Sequence, residues 1–289
     1  MEKFAIITDT GANLNYEWKN KYNIPVLELA YIINGESFSS ANLTDDDTRA
    51  IYEQIRKKVA VSTSSVNEAE CRAIFEKILS SGQDVLYIGF SSALSVSYAT
   101  AARVLDELKP TYPERKILYI DSLSAAMGQG RLVIEACKER EAGKTIDEVY
   151  TWLQENILKN CHIFTVESLS YLFRGGRLKK SAYLLGTFLQ IKPIMFVNNT
   201  GHLTPIGKII GRHASLDNMA TRVAKSIVNP EQQTIYITHG NCPDDAKYLA
   251  DKISAKIKVA GFDYSLLNTI IGAHSGPGTV AVFFGGNKR

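Results

Sequence analysis

VLYIGFSSALSVSYATAARVLDEL, residues 85–108, changes its backbone period within a single turn. Residues 85–90 form a short apolar run rich in β-branched and aromatic side chains, which reads as a buried strand. From Ser95 onward, Tyr98, Ala101, Ala102, Leu105 and Leu108 recur at helical spacing until Lys109 and Pro110 end the pattern. Strand, hydroxyl-rich turn and helix make half of a βαβ unit, the building block of a mostly parallel sheet.

The same alternation extends outward. Residues 4–8, 26–33 and 117–120 are further strand runs, and Thr44 with Asp47 makes a capping box for a helix over 44–58. Ser65 or Asn67 opens another helix through residue 79. After residue 143 the order changes. Thr145 with Glu148 caps a helix to about residue 159, followed by a strand and a helical stretch over 169–189. A hairpin of 191–197 and 203–210 turns at Asn198, Asn199, Thr200 and Gly201. A helix over 214–228, a strand over 234–238, a helix over 243–257 and strands over 265–271 and 279–284 complete the chain. The fold class is α/β. At about 150 residues per domain, an N-terminal α/β domain over 1–150, with a mostly parallel sheet and flanking helices, precedes a C-terminal α+β domain over 151–289. Residues 143–160 hold the boundary.

Thirty-three Lys and Arg against 30 Asp and Glu leave a formal charge of +3, too balanced for a protein that coats nucleic acid. With 45% hydrophobic and 22% charged residues the chain has the composition of a folded, water-soluble protein. Cys71, Cys137, Cys161 and Cys242 lie far apart without a CxxC motif and read as buried thiols. The apolar run at 4–7 is too short for a signal peptide, and no run reaches about 18 apolar residues. A cytoplasmic protein with no transmembrane segment is expected.

Hydroxyls gather after strand runs: Thr8 and Thr10, Ser62 to Ser65, Ser91, Ser92 and Ser95, then Ser122 and Ser124. Open parallel sheets bind ligands at the carboxyl ends of their strands. Three of these clusters precede helices, where free N–H groups and the helix dipole favour an anion. N-capping accounts for any one cluster but less well for their coincidence. Gly89-Phe90-Ser91-Ser92-Ala93 lacks the second glycine of a hydrolase elbow, although Ser95, an acid and His274 could still form a triad. The histidines His162, His202, His213, His239 and His274 show no metal spacing. Among them His274 stands apart, in a loop GAHSGPG (272–278) between two apolar strands, where an imidazole can donate to a carboxylate or phosphate. Gly207-Lys208 and Gly175-Gly176-Arg177 do not make a Walker loop. Arg174, Arg177, Lys179 and Lys180, with Lys208 and Arg212, are either a solvated face or a docking patch. Leu184, Leu185, Phe188, Leu189, Ile191, Ile194 and Met195 are either core or the wall of an apolar pocket.

Together, IITDTGANL (6–14), STSSVN (62–67), SSALSVSYATA (91–101), IDS (120–122), FRGGRLKK (173–180), IKPIM (191–195) and IGAHSGPGTVAVFF (271–284) resemble the DegV family of bacterial fatty-acid-binding proteins, the acyl-carrying subunits of a fatty acid kinase. The resemblance spans nearly the whole chain. It implies a two-domain protein enclosing one long-chain fatty acid, with the carboxylate held by Thr63, Ser64, Ser95 and His274. It also implies that Arg174 and Arg177 belong to a surface meeting the kinase catalytic subunit, which would form an acyl phosphate for phospholipid synthesis. Val96-Ser97 and Ser65-Val66 depart from the family pattern of Gly-Thr and Gln-Pro. The implied protein is a carrier and not an enzyme, with no cofactor or metal of its own, no nucleic acid partner, and room for transient membrane contact. The readings beside it are a serine esterase or thioesterase using Ser95 and His274, and a regulator that binds a small anion or nucleotide.

Overall fold

The computed structural model describes residues 4–41, 43–180 and 191–289. Strands β1 (Phe4–Asp9), β2 (Val26–Leu27), β6 (Asp84–Gly89) and β7 (Ile117–Asp121) form a four-stranded sheet in the order β2-β1-β6-β7. Every pairing in it is parallel. A small antiparallel sheet, β4 (Glu36–Ser39), β3 (Ala30–Ile33) and β5 (Val61–Thr63), sits beside it. The second half builds a six-stranded sheet from β8 (Asn160–Thr165), β9 (Ile191–Val197), β10 (Leu203–Ile210), β11 (Thr234–His239), β12 (Gly261–Leu266) and β13 (Val280–Gly285). Its order is β10-β9-β8-β13-β11-β12, antiparallel except between β11 and β12.

Apolar faces stack these sheets into layers. Helices α2 (Asp45–Arg56), α3 (Glu68–Ser80) and α4 (Ser97–Leu108) cover one face of the parallel sheet through Ile51, Tyr52, Phe75, Leu105, Val85 and Tyr87. Against the other face lies α5 (Met127–Glu141), whose Leu132 and Ile134 share a core with Phe4, Leu86, Phe164, Met195 and Phe283. Both sheets therefore contribute to one central core. Helices α8 (Arg212–Ser226) and α9 (Pro243–Ser254) close the far side of the six-stranded sheet through Leu216, Val223, Ile253 and Phe284. Helix α6 (Ile146–Asn156) crosses residue 150 between the halves, and α1 (Tyr16–Lys21) and α7 (Ser170–Arg174) are short. Among the described residues no helix is long and apolar enough to cross a membrane.

The sequence reading leaves out α1, β4 and β5, and four further features differ from it. The run 26–33 is two strands in two sheets. The Thr10 hydroxyl donates to the Leu27 carbonyl (3.2 Å) and accepts from the Leu29 amide (3.2 Å), ending the parallel ladder there. Helix α5 has only a weak amphipathic period to betray it, because Leu132, Val133, Ile134, Ala136 and Cys137 are all buried. The helical stretch expected over 169–189 stops at Arg174, where Gly175 caps it and Gly176 adopts φ +74°. Its remainder beyond residue 180 lies outside the described residues. The strand expected over 265–271 ends at Leu266 and gives way to helix α10 (Thr269–Ser275). Asn268 caps that helix, accepting from the Ile271 amide at 3.0 Å.

The order β2-β1-β6 reverses direction at β1, which opens a crevice at the carboxyl ends of β1 and β6. Asp9 closes its floor. The fully buried carboxylate accepts from the Tyr87 hydroxyl (2.7 Å), the Phe90 amide (2.8 Å), the Gly11 amide (2.9 Å) and Gln129 Nε2 (3.2 Å). Burial raises its pKa against these hydrogen bonds, which lower it. Each buried donor stripped of its partner costs about 1–3 kcal/mol, so Asp9→Ala should destabilise the protein by about 3 kcal/mol or more in urea unfolding. Asp9→Asn, which keeps one acceptor, should lose less, and an unchanged midpoint in both would remove Asp9 as the anchor.

Candidate functional site

Beside that crevice an apolar cavity enters the molecule between the two sheets, with about 740 Å³ of atom-free space when the open solvent at its mouth is included. Leu29, Phe90, Leu94, Leu172, Phe164 and Phe283 supply much of its wall. Its polar groups fall into two sets: Thr63 from the end of β5 with Ser95, Arg177, His274, Ser275 and Thr279 from loops and a short helix, and a single His162 on β8.

In the first set, Thr63 Oγ1 and His274 Nε2 are 2.8 Å apart. Thr63 ends β5, and His274 occupies the last turn of α10 instead of the expected loop. Glycines allow this approach. A Cβ on Gly175 would overlap His274 Nδ1, one on Gly272 the Tyr52 hydroxyl, and one on Gly276 the Tyr171 ring. Gly276 also needs φ +81° to end α10. The RGGR and HSGPG segments thus interlock through missing side chains. Burial first, then the Arg177 guanidinium, depress the His274 pKa from 6.5 to about 4, so the ring is neutral at pH 7.

Arg177 departs from its expected place on the outer surface. It is half-buried in the cavity wall, its Nε donating to the Leu94 carbonyl (3.0 Å) and its Nη1 to the Gly175 carbonyl. Burial lowers its pKa. Ser95 lines the same cavity, where its Oγ lies 2.9 Å from Ser97 Oγ and accepts from the Ser97 amide (3.2 Å). Ser97 Oγ in turn accepts from the Val66 amide (3.3 Å), coupling the two hydroxyl-rich loops through a residue that departs from the family pattern.

Other expected residues lie elsewhere. Ser64 is exposed, donates to the Ser65 carbonyl (3.3 Å), and leaves the cavity to Thr63 because successive residues of extended chain face opposite sides. Arg174 is exposed, its guanidinium 5.0 Å from the Tyr171 ring centroid. Ile194 and Met195 are packed core, on opposite faces of β9. Leu184, Leu185, Phe188 and Leu189 lie outside the described residues. Ser275 and Thr279 lie within the IGAHSGPGTVAVFF segment, which the sequence reading uses for His274 alone, and His162 lies in no motif.

The hydrolase arrangement is not assembled. His274 Nε2 meets Thr63 and not Ser95, while Nδ1 abuts Gly175 and the nearby charge acting on the ring is the cation of Arg177. A triad needs the opposite: a serine on one nitrogen and an acid on the other.

A family model described as "Uncharacterised protein, DegV family" matches residues 3–286. A DegV domain-containing protein of Clostridium perfringens is 38% identical over 289 residues, covering 100% of this chain and 99% of its own. The crystal structure of a fatty acid binding DegV family protein from Streptococcus agalactiae superposes with a TM-score of 0.86 at 25% identity, covering 100% of both chains. A DegV family structure from Ruminococcus gnavus, refined with vaccenic acid, gives 0.88 at 23% identity over 98% of this chain and 100% of its own.

The geometry fixes how the His274 ring should titrate. By NMR of the ligand-free protein its apparent pKa should lie near 4. Removing the cation in Arg177→Gln should raise it, because protonation would no longer be opposed by a like charge. A value at or above 6.5 in the native protein would contradict the buried, cation-flanked setting.

Proposed function

Because the chain belongs to the DegV family, we propose that it binds one long-chain fatty acid in the cavity and presents the carboxylate to a partner kinase for conversion to an acyl phosphate. The observation that carries this reading is a single cavity with Thr63, Ser95, His274 and Arg177 at one end and aromatic and aliphatic walls beyond. A buried C16 tail at roughly 0.8 kcal/mol per methylene supplies on the order of 10 kcal/mol. Affinity then comes from the walls, and the head set serves to avoid burying a bare anion.

In this reading Arg177 supplies the countercharge, and neutral His274, held by Thr63, supplies an N–H or accepts one. The hydroxyl of Ser95 is a further donor. The role carried over to Ser64 passes to Arg177, and the docking role assigned to Arg177 falls to the exposed Arg174 with Lys179 and Lys180. The protein acts as a cytoplasmic carrier supplying acyl groups for phospholipid synthesis. The partner brings the phosphoryl-transfer chemistry, so the carrier calls for no cofactor.

Native mass spectrometry of gently purified protein should reveal an added mass equal to a long-chain fatty acid. Thr63→Val and Arg177→Ala should each weaken oleate binding by about tenfold or more, equivalent to ~1.4 kcal/mol, without unfolding the chain. Arg174→Ala should keep oleate affinity and lower turnover with the kinase. A protein that is ligand-free and binds neither palmitate nor oleate sinks the reading. Unchanged affinity in both head variants moves the carboxylate elsewhere.

A further inference from the structure

His162 is the polar side chain that the head of the site does not use. It is 3% exposed, lies in the cavity wall, and neither ring nitrogen has a hydrogen-bond partner among the described residues. The ring stands edge-on to Phe283, with centroids 5.4 Å apart, and a Cβ on Gly128 would overlap Nε2. Burial, then the positive charge of Arg289, hold its pKa well below 6.5. The Asn160 backbone pulls weakly the other way, but its contact does not meet hydrogen-bond geometry. The ring is therefore a neutral imidazole, with one N–H to donate and one lone pair to accept.

Its position relative to the head is set by the β8–β13 pairing. His162 opposes Phe283 and Phe164 opposes Ala281. Thr279, at the head end, is four residues from Phe283 along the extended chain, about 13 Å at ~3.3 Å per residue. His162 therefore stands beside the middle or distal part of a long acyl chain whose carboxylate is at His274. A saturated tail there offers the ring no partner, whereas a hydroxyl can pair with one of its two nitrogens, accepting from the N–H or donating to the lone pair.

We propose that His162 determines acyl-chain specificity by hydrogen bonding to an in-chain hydroxyl, making long-chain hydroxy fatty acids the preferred ligand class. The inference rests on the fatty-acid reading of the cavity and adds a second polar contact to it. An apolar wall with one paired polar group discriminates most strongly for the ligand that completes the pair.

Competition of stearate, 10-hydroxystearate and 12-hydroxystearate against a fluorescent fatty acid tests it. The native protein should prefer at least one hydroxystearate over stearate by about tenfold, the ratio corresponding to ~1.4 kcal/mol. His162→Leu should abolish that preference while retaining stearate, and His162→Gln, which keeps a donor and an acceptor, should restore part of it. In the native protein the ¹⁵N imidazole resonances of His162 should shift with the preferred hydroxystearate more than with stearate, a readout that needs no variant to fold. Native protein that binds stearate but shows no hydroxyl preference overturns this inference alone, as does a preference unchanged in His162→Leu. Failure to bind any of the three acids overturns the fatty-acid reading and this inference with it.

Discussion

One buried carboxylate organises the crevice. Asp9 accepts hydrogen bonds from the end of its own strand, from β6, from the turn after β6 and from α5. A carboxylate in an apolar interior is tolerable only when such donors surround it. Tyr87 and Gln129 also have places in the packing, since Tyr87 sits between the rings of Phe75 and Tyr98, and Gln129 reaches the Thr8 hydroxyl at 2.9 Å. The turn that begins at Phe90 is thereby fixed at the carboxyl end of the sheet, and Leu94 and Ser95 inherit their positions from it. A loop carrying a ligand contact needs such a scaffold if its geometry is to be held before the ligand arrives.

The second requirement is that the two halves meet without a gap, because Thr63 and His274 come from opposite ends of the chain. Asn13 and Asn268 do much of this joining. Asn13 Oδ1 accepts from the Asn268 amide (2.6 Å), Asn13 Nδ2 donates to the Leu266 carbonyl (3.2 Å), and Asn268 Nδ2 donates to the Thr10 carbonyl (2.8 Å). Asn268 at the same time caps α10, so one residue both starts the helix that carries His274 and ties it to β1. The Tyr52 hydroxyl adds a bond to the Leu267 carbonyl at 3.0 Å. The glycines then set how close the surfaces come, since side chains at 175, 272 or 276 would separate them.

Parts of this design were open to sequence reading because they depend on local chemistry. Thr44 and Thr145 make capping boxes in the structure, and the Asn-Asn-Thr-Gly turn joins β9 and β10 at the expected bounds. Elements set by tertiary surroundings were not. Helix α5 is largely buried between two sheets, and its narrow polar stripe of Arg131, Glu135 and Lys138 leaves only a weak helical period. The run around Asn268 is apolar enough to pass for a strand, and its cap becomes decisive only when Asn13 and Thr10 approach. Likewise a basic motif reveals charge but not direction: Arg174 and Arg177 lie three residues apart, yet one is exposed and the other lines the cavity. Ser64 fails for the reason that Thr63 succeeds, the alternation of extended chain.

Charge balance distinguishes the anions that suit this pocket. With His274 neutral, the head set carries one positive charge, that of Arg177, which as an arginine remains protonated at neutral pH despite burial. A carboxylate monoanion brings that end of the cavity to neutrality. A phosphate near neutral pH carries closer to two negative charges and would leave an excess inside a region of low dielectric, where uncompensated charge is expensive. Protonating His274 would supply the missing charge, but burial and Arg177 both oppose it. The same two features that depress the His274 pKa therefore favour a carboxylate over a phosphate, and the apolar wall beyond favours a carboxylate with a long tail. The chain's overall charge of +3 has no part in this selection, which rests on one half-buried guanidinium and the neutrality of the ring beside it.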